Sequence, residues 1–281
     1  MELKEIQGIF HKELDNQFGK EEVSSFFFML TEHFFGVSRL TLALKTSIQL
    51  TKSEQSIIYD ALSRLKANKP IQYIIGKTHF YGLDFKVNEH TLIPRPETEE
   101  LVQWILDDYS KVDDKLSVLD IGTGTGCIAI SLAKNLASAM VDAIDVDENT
   151  LKVAHQNAIS NEVKVNFILQ DILAVTDLKN YNIIVSNPPY VRDLEKEQMQ
   201  QNVLDHEPEK ALFVSDDNPL IFYEKIAKLA FTCLSDNSAL YFEINEYLSD
   251  ETKELCEACG FKKVTVKNDI FGKPRMIKAK M

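Results

Sequence analysis

The chain has 281 residues, 44% of them hydrophobic, and a formal net charge of −12. That length fits about two domains with ordinary buried cores, and no run approaches the ~18 apolar residues that a membrane span needs. Nonspecific nucleic-acid binding draws on phosphate neutralisation by Lys and Arg, so an acidic chain without a concentrated basic run is expected to have no direct nucleic-acid partner.

The first stretch reads as helical, because its apolar residues recur with a period near 3.6. Val23, Phe26, Phe27, Leu30 and Phe34 form one stripe, and Ile57, Ile58, Ala61, Leu62 and Leu65 form another. Thr51 and Glu54 have the spacing of a capping box that opens the second helix. Thr78 to Val87 reads as a hairpin bridging this unit to the next. Asn88 through Glu99 then forms a stiff segment with two prolines, in which Pro96 suits the first turn of a helix running to about Tyr109. Arg95 and Glu97 are candidates for the mouth of a substrate pocket; ordinary helix-start electrostatics accounts for them about as well.

From residue 117 onward strands and helices alternate, the mark of a doubly wound sheet. Val118 to Ile121 is a short buried strand that leads into Gly122-Thr123-Gly124-Thr125-Gly126 and a helix of small and apolar residues. Glycines accept φ > 0 and let backbone approach a ligand, and free N–H groups at a helix start favour oxygen-rich or anionic groups. The dinucleotide fingerprint is G-x-G-x-x-G. The spacing Gly122-x-Gly124-x-Gly126, with Asp120 at the strand end, favours a methyltransferase cofactor loop over a pyrophosphate cradle.

The next strand ends at Asp145, about 20 positions beyond the glycine loop, where a carboxylate can accept from ribose hydroxyls. Asp147 suffices to cap the helix from Glu148 to Ile159, which leaves Asp145 for that role. The strand from Lys164 to Leu169 runs out at Gln170-Asp171-Ile172, a carboxylate and an apolar side chain suited to the amino edge and one face of an adenine. Asp171 taken alone reads as a turn residue.

The strand containing Ile183-Ile184-Val185 leads to Asn187-Pro188-Pro189-Tyr190. Each proline locks φ and has no N–H, so the turn offers carbonyl acceptors without competing donors. The Asn187 side chain adds another acceptor, and Tyr190 adds a flat face. Two acceptors beside an aromatic face suit a planar –NH2 group on a conjugated carbon, such as an amide or an adenine amino group. The bland alternative is a loop in which two prolines stop a strand.

The remaining elements are a helix from Leu220 to Leu234, a strand from Ala239 to Ile244, a helix from Tyr247 to Ala258, and strands at 263–267 and 276–280. The last two, with no helix between them, predict an antiparallel hairpin at the sheet edge. Cys256-x-x-Cys259 is one pair where zinc normally takes four ligands, so it reads as structural. The six histidines lack metal spacing, and no metal is expected. Four cysteines without disulfide-framework spacing fit a reducing compartment, and no basic-then-apolar leader opens the chain. A cytoplasmic protein is expected.

The chain resembles the glutamine methyltransferases that modify peptide chain release factors, the PrmC/HemK family. The resemblance rests on Pro70-Ile71-Gln72-Tyr73-Ile74-Ile75-Gly76, Asn88 through Glu99, the Gly122–Gly126 loop and Asn187 through Tyr190, in family order. It implies a class I S-adenosylmethionine methyltransferase fold: a doubly wound, mostly parallel sheet with an antiparallel edge hairpin, behind a small all-helical domain. Its expected organisation is a helical substrate-docking domain at 1–72, a hairpin and proline-rich linker at 73–96, and the catalytic domain at 97–281. S-adenosyl-L-methionine is the implied cofactor, S-adenosyl-L-homocysteine the product, and the glutamine of a release factor's Gly-Gly-Gln loop the acceptor. Gly122 to Gly126, Asp145, Asp171, Ile172 and Asn187 are the expected cofactor contacts. At Ile172 relatives carry a bulkier aromatic residue, which puts a stacking contact there in doubt.

An amide nitrogen is a poor nucleophile, and a sulfonium is an activated methyl donor, so orientation is what an enzyme must supply. Asn187 and Pro188 are the expected acceptors of the two amide hydrogens, with Pro189, Tyr190, Arg95 and Glu97 lining the substrate. The expected state is a monomer. The rival readings are a glutamine methyltransferase of a ribosomal protein, an adenine-N6 nucleic-acid methyltransferase, and a cofactor-binding module without transfer activity.

Overall fold

The computed structural model describes residues 1–45, 47–110 and 115–281, and these divide into two compact units. The first comprises residues 1–76 together with 200–206. Its helices are α1 (Leu3–Phe18), α2 (Lys20–Phe35), α3 (Arg39–Leu44), α4 (Lys52–Lys66) and α5 (Ile71–Ile75). Thr51 and Glu54 form the expected capping box of α4. Val23, Phe27 and Leu30 pack with Ile6, Phe10, Ile58 and Leu62 in one core. Ile57, read from sequence as part of that stripe, is exposed instead. On a helix each residue turns about 100° from the last, so its neighbour Ile58 takes the inward place. The short segment 200–206 belongs with this unit, and there His206 Nε2 lies 2.9 Å from the Ala67 carbonyl.

The second unit holds everything else. It opens with the hairpin β1 (Lys77–Phe80) and β2 (Leu83–Lys86), continues through α6 (Pro96–Tyr109), and then alternates β3 (Ser117–Ile121), α7 (Cys127–Asn135), β4 (Met140–Asp145), α8 (Glu148–Ser160), β5 (Asn166–Leu169) and β6 (Tyr181–Ser186). The predicted hairpin is present, and it clusters with this unit. Its ties run inward: the Lys86 N–H donates to Asn157 Oδ1 at 2.7 Å and the Tyr81 N–H to Glu99 Oε1 at 2.8 Å. Short strands β7 (Val191–Arg192) and β8 (Phe213–Val214) pair beyond β6, with α9 (Gln201–His206) and α10 (Glu209–Leu212) between them in sequence. Then come α11 (Ile221–Cys233), β9 (Leu234–Glu243), α12 (Ser249–Ala258), β10 (Lys263–Asn268) and β11 (Pro274–Lys280).

Seven strands make the central sheet, in the order β10-β11-β9-β6-β3-β4-β5. The five from β9 to β5 run parallel, and β11 pairs antiparallel with both β9 and β10, the expected edge hairpin. Period-two alternation divides the strands between two cores. Val118, Ile183, Val185 and Tyr241 face α6 and α7, while Leu119, Ile184, Leu240 and Phe242 face α11 and α12. From β3 the chain moves outward through β4 to β5, then returns to lay β6 on the other side of β3. Open α/β sheets bind ligands at such a switch point, outside the carboxyl ends of the strands.

Candidate active site

At that edge the strand ends are in register. Ile121 pairs with both Ile144 and Ser186, Ser186 with Phe242, and Asp145 with Leu169. The next residues therefore sit side by side: the glycine turn after β3, Asn187 after β6 and Glu243 at the end of β9. The Ser186 hydroxyl fastens two of these ends by donating to the Ile121 carbonyl at 2.7 Å.

The glycine turn is built on left-handed backbone, with φ of 74° at Gly122, 57° at Gly124 and 81° at Gly126. At Gly126 space is limiting as well, since a Cβ would lie 2.9 Å from Ile130 Cδ1. Asp120 braces the turn from beneath: its Oδ2 accepts from the Thr123 hydroxyl at 2.7 Å and from the Ala129 N–H at 3.2 Å. Its Oδ1 is buried without a partner among the described residues, as is the Thr125 hydroxyl. Burial pushes the Asp120 carboxyl up to about 7. Asp145 holds the turn from the side, with Oδ2 accepting from the Gly124 N–H at 2.9 Å and Oδ1 from the Asp147 N–H at 3.1 Å. A carboxylate offers about four lone-pair sites, so Asp145 keeps acceptor capacity beyond these backbone donors. Burial also raises the Asp145 pKa. Asp147 caps α8 by accepting from the Asn149 and Thr150 N–H groups.

A cavity of about 390 Å³ opens over this edge. Gly122, Thr123, Gly124, Thr125, Asp145, Asp171, Ile172, Asn187, Pro188, Pro189 and Arg95 line it. Gly126 is outside the lining, and its neighbour Cys127 is in it. Glu97 is outside too; Thr98, one helical step further along α6, takes the place facing the cavity. Asp171 accepts from the Leu173 N–H at 2.9 Å, so it caps a turn of 3₁₀ helix while bordering the cavity. Tyr190 lines a smaller neighbouring cavity with Asn187, Pro188 and Glu243. Its hydroxyl donates inward to Glu243 Oε1 at 3.1 Å rather than pointing to the large cavity. Arg95 is held by Glu207, Nη2 to Oε1 at 2.6 Å, and the same carboxylate accepts from the Ile93 N–H at 3.2 Å.

Four features here escaped the sequence reading. Thr98, Glu243 and Glu207 lie far from the motifs they serve, and periodicity gives no sign of such pairings. Glu243 did leave a trace: it is the charged residue in the apolar run Ala239-Leu240-Tyr241-Phe242-Glu243-Ile244. A carboxylate inside a buried strand requires partners. The wall of Leu92, Phe222 and Ile226 left none, because apolar residues read as core wherever they fall.

The donor set suits an adenosyl group with an amino-acid tail. Glycine N–H groups and the spare lone pairs of Asp145 offer polar contacts, Ile144 and Ile172 offer apolar faces, and none of these is a soft metal ligand. Together, the sheet order and this edge define the methyltransferase type of α/β fold.

Comparison with known proteins agrees. Residues 100–213 match the model of the Methyltransferase small domain, and residues 19–76 match that of the PrmC N-terminal domain. Release factor glutamine methyltransferase of Flavobacterium psychrophilum is 50% identical over 99% of both chains. That of Bacteroides thetaiotaomicron is 41% identical, again over 99% of both. Among solved structures, the hMettl16 catalytic domain in complex with MAT2A 3'UTR hairpin 6 has a TM-score of 0.56 at 17% identity, covering 83% of this chain and 84% of that one. A methyltransferase from Pyrococcus furiosus has a TM-score of 0.51 at 18% identity, covering 82% and 98%; at such identities the likeness is one of fold. The chain belongs to the release factor glutamine methyltransferase family.

Proposed function

We propose that this chain transfers a methyl group from S-adenosylmethionine to the side-chain amide nitrogen of the glutamine in the Gly-Gly-Gln loop of peptide chain release factors. One observation carries the reading: Asn187 and Pro188 stand at the carboxyl edge of β6, on the wall of the cavity that the glycine turn and Asp145 also line. Acceptor turn and cofactor cradle thus share one chamber.

S-adenosylmethionine supplies a methyl group already activated on a sulfonium, so the protein's task is to bind and orient. The glycine turn and Asp145 would take the polar parts of the cofactor, Asp145 through its spare acceptor capacity, and Asp171 and Ile172 would border the adenine. Asn187 Oδ1 and the Pro188 carbonyl accept the two hydrogens of the glutamine amide, which turns the nitrogen lone pair into the cavity. As that nitrogen gains positive charge, both hydrogen bonds strengthen, which selectively lowers the barrier. Neither acceptor is a base of useful strength, and the departing proton goes to water. Pro189 and Tyr190 hold the turn in shape, and Arg95, fixed by Glu207, borders the entrance.

The helical unit serves to dock the release factor. Its own core makes it a separate unit, and the cofactor cavity is lined entirely by the second unit. We further infer that the protein acts as a monomer in the cytoplasm, without a direct nucleic-acid partner. Incubation with radiolabelled S-adenosylmethionine and a cell extract, followed by identification of the labelled peptide, tests the substrate. Label on a release-factor glutamine supports the reading; label confined to nucleic acid or a ribosomal protein contradicts it.

A further inference from the structure

Beneath the acceptor turn a hydrogen-bonded chain of side chains runs from the cavity wall, which Asn187 and Thr98 both line, to a carboxylate in the core. Asn187 Nδ2 donates to Thr98 Oγ1 at 3.4 Å. Thr98 Oγ1 in turn donates to Glu243 Oε2 at 2.6 Å. The other carboxylate oxygen, Oε1, accepts from the Tyr190 hydroxyl at 3.1 Å. Glu243 is 1% exposed and Thr98 2%. The backbone around the carboxylate is pinned as well, with the Tyr223 hydroxyl donating to the Glu243 carbonyl at 3.0 Å. Asn245 Nδ2 donates to the Tyr190 carbonyl at 2.9 Å, and the Tyr190 N–H to the Leu212 carbonyl at 3.2 Å.

The direction of this chain is fixed by its inner end. Burial raises the Glu243 pKa, against which the Thr98 and Tyr190 hydroxyls and the Arg275 charge favour the ionised form; in that form the carboxylate only accepts, and a threonine hydroxyl has one hydrogen. The short bond commits that hydrogen to Glu243, so Thr98 can offer Asn187 only a lone pair. An amide is a donor at Nδ2 and an acceptor at Oδ1, so Asn187 must turn its nitrogen to Thr98 and leave its oxygen for the cavity. At 3.4 Å the Asn187 bond is long. Its part is to decide between two orientations that differ by a half-turn of the amide. In the wrong one Nδ2 faces the substrate nitrogen and meets its hydrogens donor to donor.

We propose that Glu243 and Thr98 are positioning residues for methyl transfer, acting through Asn187 to set its amide with the carbonyl oxygen toward the substrate; this rests on the reading of Asn187 as acceptor for the glutamine amide. Glu243 touches neither substrate nor cofactor in this assignment. It acts at two removes, and its bond from Tyr190 anchors the other end of the same turn. A glutamate in a buried strand, costly to desolvate, thereby has a reason to be there.

The test uses the full-length protein with T98V, T98S, E243Q and the double variant T98V/E243Q, assayed for transfer to the release-factor glutamine under single-turnover conditions with saturating cofactor. T98V keeps the shape and loses the hydroxyl; the transfer rate should fall at least tenfold, while cofactor affinity by calorimetry stays within twofold of wild type. T98S restores the hydroxyl and should restore most of the rate. In E243Q the side-chain amide carries hydrogens of its own and no longer forces Thr98 to donate inward, so the rate should again fall at least tenfold. E243Q also keeps the proposal testable if T98V, which strips a donor from a buried carboxylate, folds poorly. The double variant should be no slower than the slower single one, because both lesions act through Asn187. Wild-type rates in T98V and E243Q, with normal transfer by the unsubstituted protein, would overturn the positioning role alone. Multiplicative losses in the double variant would also overturn it. If the unsubstituted protein does not methylate the glutamine, the substrate reading fails and this proposal with it.

Discussion

Asn187, Asp145 and Asp120 carry the account at the scale of single residues, and each makes a different kind of demand. Replacing Asn187 by alanine removes one preorganised acceptor. Transfer at saturating cofactor should drop about 10²-fold, by analogy with other groups that stabilise a transition state. The fold should survive, since the hydrogen bond that ties the Asn187 side chain to Thr98 is long, at 3.4 Å. Transfer slowed by about 10²-fold with an unchanged melting curve is the expected pair of results. Asp145→Ala should instead weaken cofactor binding, by an amount on the order of 1.5–3 kcal/mol for a lost charge-assisted contact. Calorimetry should show one site per chain, insensitive to chelators. Asp120 has a signature in stability. Burial raises its carboxyl in the folded state to about 7, against about 4 in the unfolded chain. Between those values the folded state holds a proton that the unfolded state has lost, so this contribution is full below pH ~4 and fades as pH rises through ~7. Urea unfolding of wild type and Asp120→Asn should therefore give a stability difference that moves against the wild type from pH 4 to pH 7. A difference that moves in its favour would contradict the assignment.

At the scale of elements, the legible parts of the fold were those written locally. The glycine turn, the Asn-Pro-Pro-Tyr turn, the Asp147 cap and the capping box of α4 each depend on a few adjacent residues, and sequence exposes them. Strands β3 and β6 announced themselves as apolar runs, and the closing hairpin by the lack of a helix between its strands. What did not show was which side chain of an element faces inward. Glu97 and Thr98 are one step apart on α6, and only the docking of that helix on the sheet turns Thr98 toward Asn187 and Glu243. Ile57 and Ile58 present the same ambiguity on α4. The pairing of Glu207 with Arg95 joins residues from different segments that only the folded chain brings together. Gly126 gives an element-scale prediction. With φ at 81° and a Cβ position 2.9 Å from Ile130, Gly126→Ala should destabilise the start of α7 by on the order of 1–3 kcal/mol. Cofactor affinity should fall alongside the unfolding midpoint. An alanine variant as stable as wild type would mean that the turn tolerates the side chain.

For the whole molecule, the division into two units predicts a division of labour. The cavity belongs wholly to the second unit, so a chain lacking residues 1–76 should keep its cofactor affinity while methylation of an intact release factor falls steeply. Residues 200–206 lose their partners in such a truncation, so circular dichroism must first show that the remainder is folded. Full activity of the truncated chain on the intact factor would argue against a docking role. The most direct measurement is tandem mass spectrometry of a purified release factor after incubation with this protein and S-adenosylmethionine. The account predicts one added methyl group, on the side-chain nitrogen of the Gly-Gly-Gln glutamine, absent when the Asn187→Ala variant is used for the same brief time. Methylation at another residue, or an unmodified glutamine after prolonged incubation with the wild-type protein, would contradict it.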